Sequence, residues 1–461
     1  MTQNIRLKIT EEDFNRATSL LMVNMPNESA VFLLAGKHAG DSSLELIVRR
    51  IVEIPVAEYR LRNSYHMDIS PRAINGLIAL CQENGLGAVL CHSHLEGEQY
   101  SPSDDYGEKR IAETLFQFLP SMPVGSLLMS ASGGINGRLW SPNGRVEKLS
   151  SITVIGRGIR DIPVGNRKRT HTSGSDIIHD RQVLAFGKEG QAKLASAKVG
   201  IVGVGGTGSA VAEQIARLGI RDLVLIDPDH FEPTNLTRMH ESKYADAYPK
   251  KKKGNAPKVD VVAKRLKEIC PRIRLTVNKN SVVKSEACGL LLDRDAIFCC
   301  TDDYWGRAVL NQVAYQYLIP VINMGVRIDS IDGKISGAAG DIHVLRPGKP
   351  CLWCYGFLTA ERIRVQSLPA SERVGLIREG YVQGINGHTP SVVSLTTTVS
   401  GLAVTQFLQL LTDFMGINGD ISSLKYNILD GLVTRGTAQI KEGCCCQVYK
   451  AYGDLRPLLT V

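Results

Sequence analysis

At 461 residues the chain is too long for one small domain, and its 43% hydrophobic and 22% charged residues exclude a disordered chain. Its 54 Lys and Arg against 46 Asp and Glu give a net charge of +8, which suits an acidic ligand such as a nucleotide and does not call for a nucleic acid. No apolar run reaches the length of about 18 residues that a membrane span needs, and the charged start MTQNIRLKITEEDFNRATSL has no signal core, so a cytoplasmic protein is expected.

Four elements open the chain. SAVFLLAG (29–36) and LELIVRRIVEIPV (44–56) read as strands, PRAINGLIALCQENG (71–85) as a helix ending at Gly85, and LGAVLCHSH (86–94) as a strand. Side chains alternate along a strand, so His92 and His94 share a face and can bind one metal ion. SPSD (101–104) reads in two ways: as a helix start with Ser101 as N-cap, Pro102 first and Asp104 third, or as the source of a third ligand, Asp104. Three protein ligands leave a fourth position for water, as in a hydrolytic zinc site.

The Gly-, Arg- and Ser-rich stretch 142–176, with RKR at 167–169, reads as the end of a first domain plus a connector. It sets expected divisions of 1–150, a linker at 151–176, and 177–461. A second basic run, Lys251–Lys253, reads as a solvated loop. Beyond residue 190 the pattern becomes strand, glycine turn, helix, strand, as in a parallel α/β sheet.

CHSH, SPSD and the upstream Glu28 of NESAVFLLAG together resemble the JAB/MPN metalloproteases, which cleave peptide or isopeptide bonds after ubiquitin-like tails. The resemblance covers about residues 5–145 and implies a cytidine-deaminase-like α/β domain. In it Glu28 is the general base, His92, His94 and Asp104 bind zinc, and Ser101 steadies the oxyanion. Leu95 replaces a proline usual in that family, and the spacing from His94 to Asp104 is one residue short. Asp105 restores the spacing but puts Pro102 in the serine's place, so Asp104 is favoured and Asp105 is its rival.

In KVGIVGVGGTGSAVAEQIARLGIRDLVLIDPD (198–229), Gly203, Gly205, Gly206 and Gly208 allow close approach of a phosphate. Asp227 ends the next strand, where it can hold a ribose. A dehydrogenase has these features too. Asp229, Asn235, Arg238, Lys258, Asp302 and Asp303, with Arg181 and Gln182 upstream, go beyond it: cleaving ATP between its α and β phosphates needs cations and a carboxylate for Mg²⁺.

In this order the residues resemble the ubiquitin-activating, ThiF/MoeB-like family, over about 177–461. The resemblance implies a Rossmann-like domain with a mainly parallel sheet that joins ATP to the C-terminal glycine of a small ubiquitin-like or sulfur-carrier protein. Arg181, Arg238 and Lys258 then contact phosphates, Asp227 holds the ribose, Asn235 positions the phosphates and Asp302 binds Mg²⁺. It also implies a homodimer, with the early arginine often crossing to the partner's site. SVVSLTTTVSGLAVTQFLQLLTD (391–413) reads as a helix for that interface or for the core. The family often closes a structural zinc site from two cysteine pairs; here Cys351 and Cys354 form one, and the run 444–446 supplies the other, either Cys444 with Cys446, Cys445 facing away, or another two of the three.

No cysteine lies between Cys354 and Cys444, and Cys288, Cys299 and Cys300 read as packing residues, which leaves two readings: the reaction stops at an adenylate that a separate thiol intercepts, the favoured one, or a remaining cysteine, such as one of the run 444–446, accepts the acyl group. The whole reads as a fusion whose two sites handle the tail of one partner: a zinc site trims or detaches it, and an ATP site activates it for conjugation, with a separate conjugating enzyme. Such bacterial systems include some in antiviral defence. The alternative is maturation and adenylation of a sulfur carrier for thiocarboxylate formation.

Overall fold

The computed structural model describes residues 4–40, 43–165, 177–240, 242–248, 255–368, 372 and 390–461. The basic runs 167–169 and 251–253 lie outside them. The chain divides into two compact units, the first made of Met1–Thr170 with Gln316–Leu318 and Tyr449–Pro457, the second of the remainder.

The first unit holds strands β1 (Asn4–Thr10), β2 (Ala30–Ala39), β3 (Ser43–Glu53), β4 (Tyr59–Arg62), β5 (Met67–Ile69), β6 (Gly87–His94), β7 (Val124–Ser130), β8 (Ile135–Trp140), β9 (Val146–Lys148), β10 (Ser151–Ile155) and β11 (Ile159–Pro163). Its helices are α1 (Glu11–Met22), α2 (Pro71–Asn84) and α3 (Pro102–Phe118). All strands but the β4–β5 hairpin form one nine-stranded mixed sheet in the order β11-β10-β1-β3-β2-β6-β7-β8-β9. This strand order does not confirm the JAB/MPN, cytidine-deaminase-like domain expected from the sequence. The sheet also corrects the domain boundary: β10 and β11 belong to it, so the first unit runs past residue 150 and through Pro163.

Alternation decides what each face of the sheet carries. Val31 and Leu33 of β2 and Val89 and Cys91 of β6 pack with Ala17 and Leu21 of α1. Phe32 and Leu34, with Ala88 and Leu90, pack on the opposite side with Ile74 and Leu77 of α2 and Ala112 and Leu115 of α3. His92 and His94 continue the Ala88–Leu90 row, so they project on the side of α2 and α3. α2 ends at Gly85, as its sequence indicated; it starts at a Ser70 cap, and Gly85 takes the left-handed conformation.

The second unit contains α4 (Asp180–Ser196), β12 (Lys198–Val202), α5 (Gly206–Arg217), β13 (Asp222–Ile226), α6 (Tyr244–Ala247), α7 (Lys258–Ile269), β14 (Arg274–Asn278), α8 (Ser285–Gly289) and β15 (Ala296–Cys299). It continues with α9 (Tyr304–Gln316), β16 (Val321–Ile331), β17 (Lys334–Leu345), α10 (Ala360–Ser367), α11 (Val393–Thr412), β18 (Ser423–Asn427), β19 (Leu432–Arg435) and α12 (Cys445–Val448). Its eight-stranded sheet has the order β14-β13-β12-β15-β16-β17-β18-β19. The first five run parallel, the Rossmann-like half, and the last three extend it antiparallel. The long helix α11 packs on α5, β16 and β17, with Val399, Ala403 and Phe407 buried, so it serves the core of this unit.

Leu33 is 1% exposed and Val23 70%. Leu33→Ala should destabilise the first unit by about 2–5 kcal/mol in a denaturant titration, and Val23→Ala by less than about 0.5 kcal/mol.

Candidate functional site

In the first unit, antiparallel pairing sets Ala30 of β2 opposite His92 of β6, which brings Glu28, just before β2, beside His94. Glu28 Oε1 lies 3.5 Å from His94 Nε2. Its backbone is pinned by the β4–β5 hairpin: its N–H donates to the Asn63 carbonyl at 2.9 Å, and Arg62 Nε donates to its carbonyl at 2.7 Å. Asp104, in the first turn of α3, places Oδ1 at 3.5 Å from His92 Nε2 and Oδ2 at 3.3 Å from His94 Nε2.

The cap reading of SPSD is realised, and the capped Asp104 is the residue that faces the histidines. Ser101 Oγ accepts from the Asp104 N–H at 3.1 Å, and Asp104 Oδ2 accepts from the Ser101 N–H at 2.7 Å. This reciprocal cap fixes the Asp104 side chain where it meets the histidines. Asp105, about 100° further round the helix, turns instead to the Arg138 guanidinium at 2.5 Å.

His92 is 2% exposed, and neither ring nitrogen has a hydrogen-bond partner among the described residues. Buried polar atoms are rarely left so. An orphaned imidazole nitrogen beside a second imidazole and a carboxylate is a donor set that fits zinc; one ligand atom from each of His92, His94 and Asp104 lies within 4.8 Å of the others. Burial drives His92 down to about 4, so it is neutral near pH 7. The hydrogen bond to Asp104 raises His94. Burial opposes the Asp104 charge, but His94, His92 and the Ser101 cap hold its carboxyl well below the usual range. Burial raises Glu28 against the pull of His94.

The sequence reading passed over Glu108. It lies four residues beyond Asp104 on one helix face, the spacing that could have flagged it, and its Oε1 is 3.4 Å from His92 Nδ1. Burial pushes its carboxyl up to about 7, against the Arg138 guanidinium and the Ser126 hydroxyl.

In the second unit, β12 ends in the glycine turn. Gly203 has φ +85°, and a Cβ there would lie 2.8 Å from the backbone of Cys300 and Thr301 after β15. A Cβ on Gly208 would lie 1.7 Å from the Gly203 carbonyl oxygen, so only glycine lets α5 start against the turn. Gly205 caps α5 and Gly206 begins it, exposing helix N–H groups to an anion.

Asp227, 5% exposed at the end of β13, accepts from Val204 N–H at 2.7 Å and from Asp229 N–H at 2.9 Å. Burial raises its pKa, and nearby Lys258 lowers it. Lys258 Nζ donates to Asp229 Oδ2 at 2.7 Å. Arg238 lies over the turn, its Cδ 3.5 Å from where a Gly206 Cβ would stand. Asn235 is buried, and its Oδ1 accepts from the Glu232 N–H at 2.9 Å, so it braces the loop that carries Arg238. Asp303 takes the capping role at α9, accepting from Trp305 and Gly306 N–H groups. That leaves the exposed Asp302 beside the strand end that touches Gly203.

Arg181 is not gathered there within one chain. Its neighbour Gln182 donates to the Arg217 carbonyl at the C-terminal end of α5, and His179 and Gln191 crowd Gly219 just beyond it. Twelve residues of helix separate that end from the glycine turn, about 18 Å.

Cys351, Cys354, Cys444 and Cys446 form a third cluster. Cys351 Sγ lies 3.4 Å from Cys444 and 3.6 Å from Cys354; Cys354 lies 3.6 Å from Cys444 and 3.8 Å from Cys446. A tetrahedral zinc with bonds of about 2.3 Å spaces its sulfurs about 3.8 Å apart, so the donor set fits zinc. Cys445 does not face away from the group: its thiol interacts with that of Cys351, and its sulfur also accepts from Asn311 Nδ2 at 3.3 Å. Burial pushes Cys288 up to about 12 and Cys299 to about 11, and raises Cys300, which makes all three poor nucleophiles.

Asp104→Asn should reduce zinc content by up to one equivalent by metal analysis, while Asp105→Asn leaves it unchanged. Cys354→Ser should remove a second equivalent and lower the thermal midpoint of the second unit.

The ThiF family model matches residues 179–445, more than half of the chain. The molybdopterin-synthase adenylyltransferase of Escherichia coli is 29% identical over 187 residues, 40% of this chain and 70% of that protein. The SAMP-activating enzyme E1 of Haloferax volcanii is 25% identical over 227 residues, 49% of this chain and 72% of that one. The sulfur carrier protein ThiS adenylyltransferase of Bacillus subtilis is 29% identical over 179 residues, 38% and 49% respectively. A glycine turn that meets a helix start, an acidic strand end, and a match spanning both lead to one conclusion: the chain belongs to the ThiF family.

Proposed function

We propose that this chain is an adenylyltransferase that activates the C-terminal carboxylate of a small glycine-ended carrier protein, and that its first unit is a zinc-dependent hydrolase acting on the same tail. The first part is supported by Arg238 and Asp227 beside the Gly203–Gly208 turn, by Lys258 paired with Asp229, and by the position of Asp302 next to Thr301, whose backbone meets Gly203. The carrier carboxylate oxygen attacks the α-phosphorus of ATP, the bond to the bridging oxygen breaks, and pyrophosphate leaves with that electron pair. Arg238 and Lys258 hold the phosphates, Lys258 exchanging its Asp229 partner for them; Asp227 orients the ribose. Asp302 would hold Mg²⁺, whose chemistry is to neutralise phosphate charge. Arg181 serves the glycine turn of a second copy in a homodimer.

Two of the relatives are named for molybdopterin synthase and a sulfur carrier, which favours a carrier that leaves as an adenylate for conversion to a thiocarboxylate. The buried state of Cys288 and Cys299 agrees with interception of the adenylate by a separate thiol. A second reading, activation of a ubiquitin-like protein for conjugation, is favoured by the His92–His94–Asp104 cluster, because a cleaved amide linkage gives an isopeptidase its use. In either case His92, His94 and Asp104 would hold zinc, which supplies a bound water that ionises near neutral pH. Glu28 takes up the proton and returns it to the leaving amine, and Ser101 donates to the oxyanion.

With the full chain, ATP, labelled pyrophosphate and a glycine-ended carrier, exchange should require the carrier. Asp302→Ala should cut it about a hundredfold or more, and Glu28→Gln should leave it intact. Carrier-dependent exchange that survives Asp302→Ala would overturn the assignment. A thiocarboxylated carrier or amide-linked adducts distinguish the two readings.

A further inference from the structure

Glu108 and its partners belong to no step described above, yet they are among the most enclosed polar groups of the first unit. Glu108 is 5% exposed and His92 2%. Glu108 Oε2 accepts from Ser126 Oγ at 2.5 Å, from Arg138 Nε at 2.8 Å and from Arg138 Nη2. Arg138 is itself fixed, its guanidinium 3.7 Å from the centre of the Tyr100 ring and paired with Asp105. One carboxylate oxygen is thus saturated by donors. The other, Oε1, has no hydrogen-bond partner among the described residues and faces His92 Nδ1, which also has none, at 3.4 Å.

We propose that Glu108 is a positioning residue for the zinc ligand His92, an inference that rests on the zinc reading of the first unit. Oε1 accepts from the Nδ1–H of His92 and so fixes the tautomer that leaves the Nε2 lone pair directed at Asp104 and the metal. Arg138 and Ser126 select which oxygen does this, because they hold Oε2. The arrangement makes an unusual demand on glutamine at this position. Its carbonyl oxygen must take the place of Oε2, facing three donors, so its NH₂ takes the place of Oε1. That NH₂ donates to Nδ1 and favours the Nε2–H tautomer, which cannot bind metal.

The test is Glu108→Gln in the full-length chain, with zinc affinity read by chelator competition and Co²⁺ absorption separating the thiolate cluster from the histidine site. Affinity at the site lost in His92→Ala should fall about 10–100-fold, with circular dichroism, the Co²⁺–thiolate bands and ATP–pyrophosphate exchange unchanged. Unchanged affinity in Glu108→Gln would overturn the positioning role while leaving the zinc reading intact. Wild-type protein with no metal sensitive to His92→Ala would overturn the zinc reading itself. Imidazole nitrogen NMR of metal-free wild-type protein gives an answer that needs no variant to fold: the Nδ1–H form of His92 is expected, and the Nε2–H form contradicts the inference.

Discussion

The register between β2 and β6 is the constraint that gathers the polar cluster of the first unit. Ala30 stands opposite His92, and that pairing sets both histidines beside Glu28, while the Ser101 cap on α3 brings Asp104 to them. A slip by one residue would turn His92 and His94 toward the α1 side, away from Asp104 and Glu108. The apolar rows on both faces resist such a slip, because Val31, Leu33, Val89 and Cys91 would have to exchange places with Phe32, Leu34, Ala88 and Leu90. Core packing and site geometry are thus a single requirement in this unit.

The second unit meets an analogous constraint through backbone contact. α5 begins so close to the Gly203 carbonyl that residue 208 has no room for a side chain. This closeness lets the helix N-terminus and the ends of β12, β13 and β15 meet at one point. Charge is then arranged around a feature made of main chain: Asp227 ties Val204 and Asp229 together, and Lys258 rests on Asp229.

Much of this was legible in the residues. The end of α2 follows from its terminal glycine, and the adenylating half follows from the order of its glycines, acids and basic residues. Local signals failed where distant pairing decides the outcome. The stretch after residue 150 is polar and glycine-rich, yet Ile152, Val154 and Ile155 are buried there because β10 pairs with β1. Arg181 lies beside Gln182 in the sequence pattern of the site, but α4 packs at the wrong end of α5 for the glycine turn. Asp104 and Asp105 were not separable by spacing; the Ser101 cap and the Arg138 guanidinium separate them in space. Glu108 was missed because its importance comes from Ser126 and Arg138, which lie on other elements.

The central claim is that one carrier tail is processed by the zinc unit and then energised by the nucleotide unit. It is tested most directly by giving the zinc-loaded full chain, with ATP, a carrier extended by a few residues beyond its glycine, and following intact mass and pyrophosphate together. The account predicts removal of the extension before pyrophosphate appears, and neither event in Glu28→Gln. An extended carrier left uncut by wild-type protein that adenylates the mature form would contradict it.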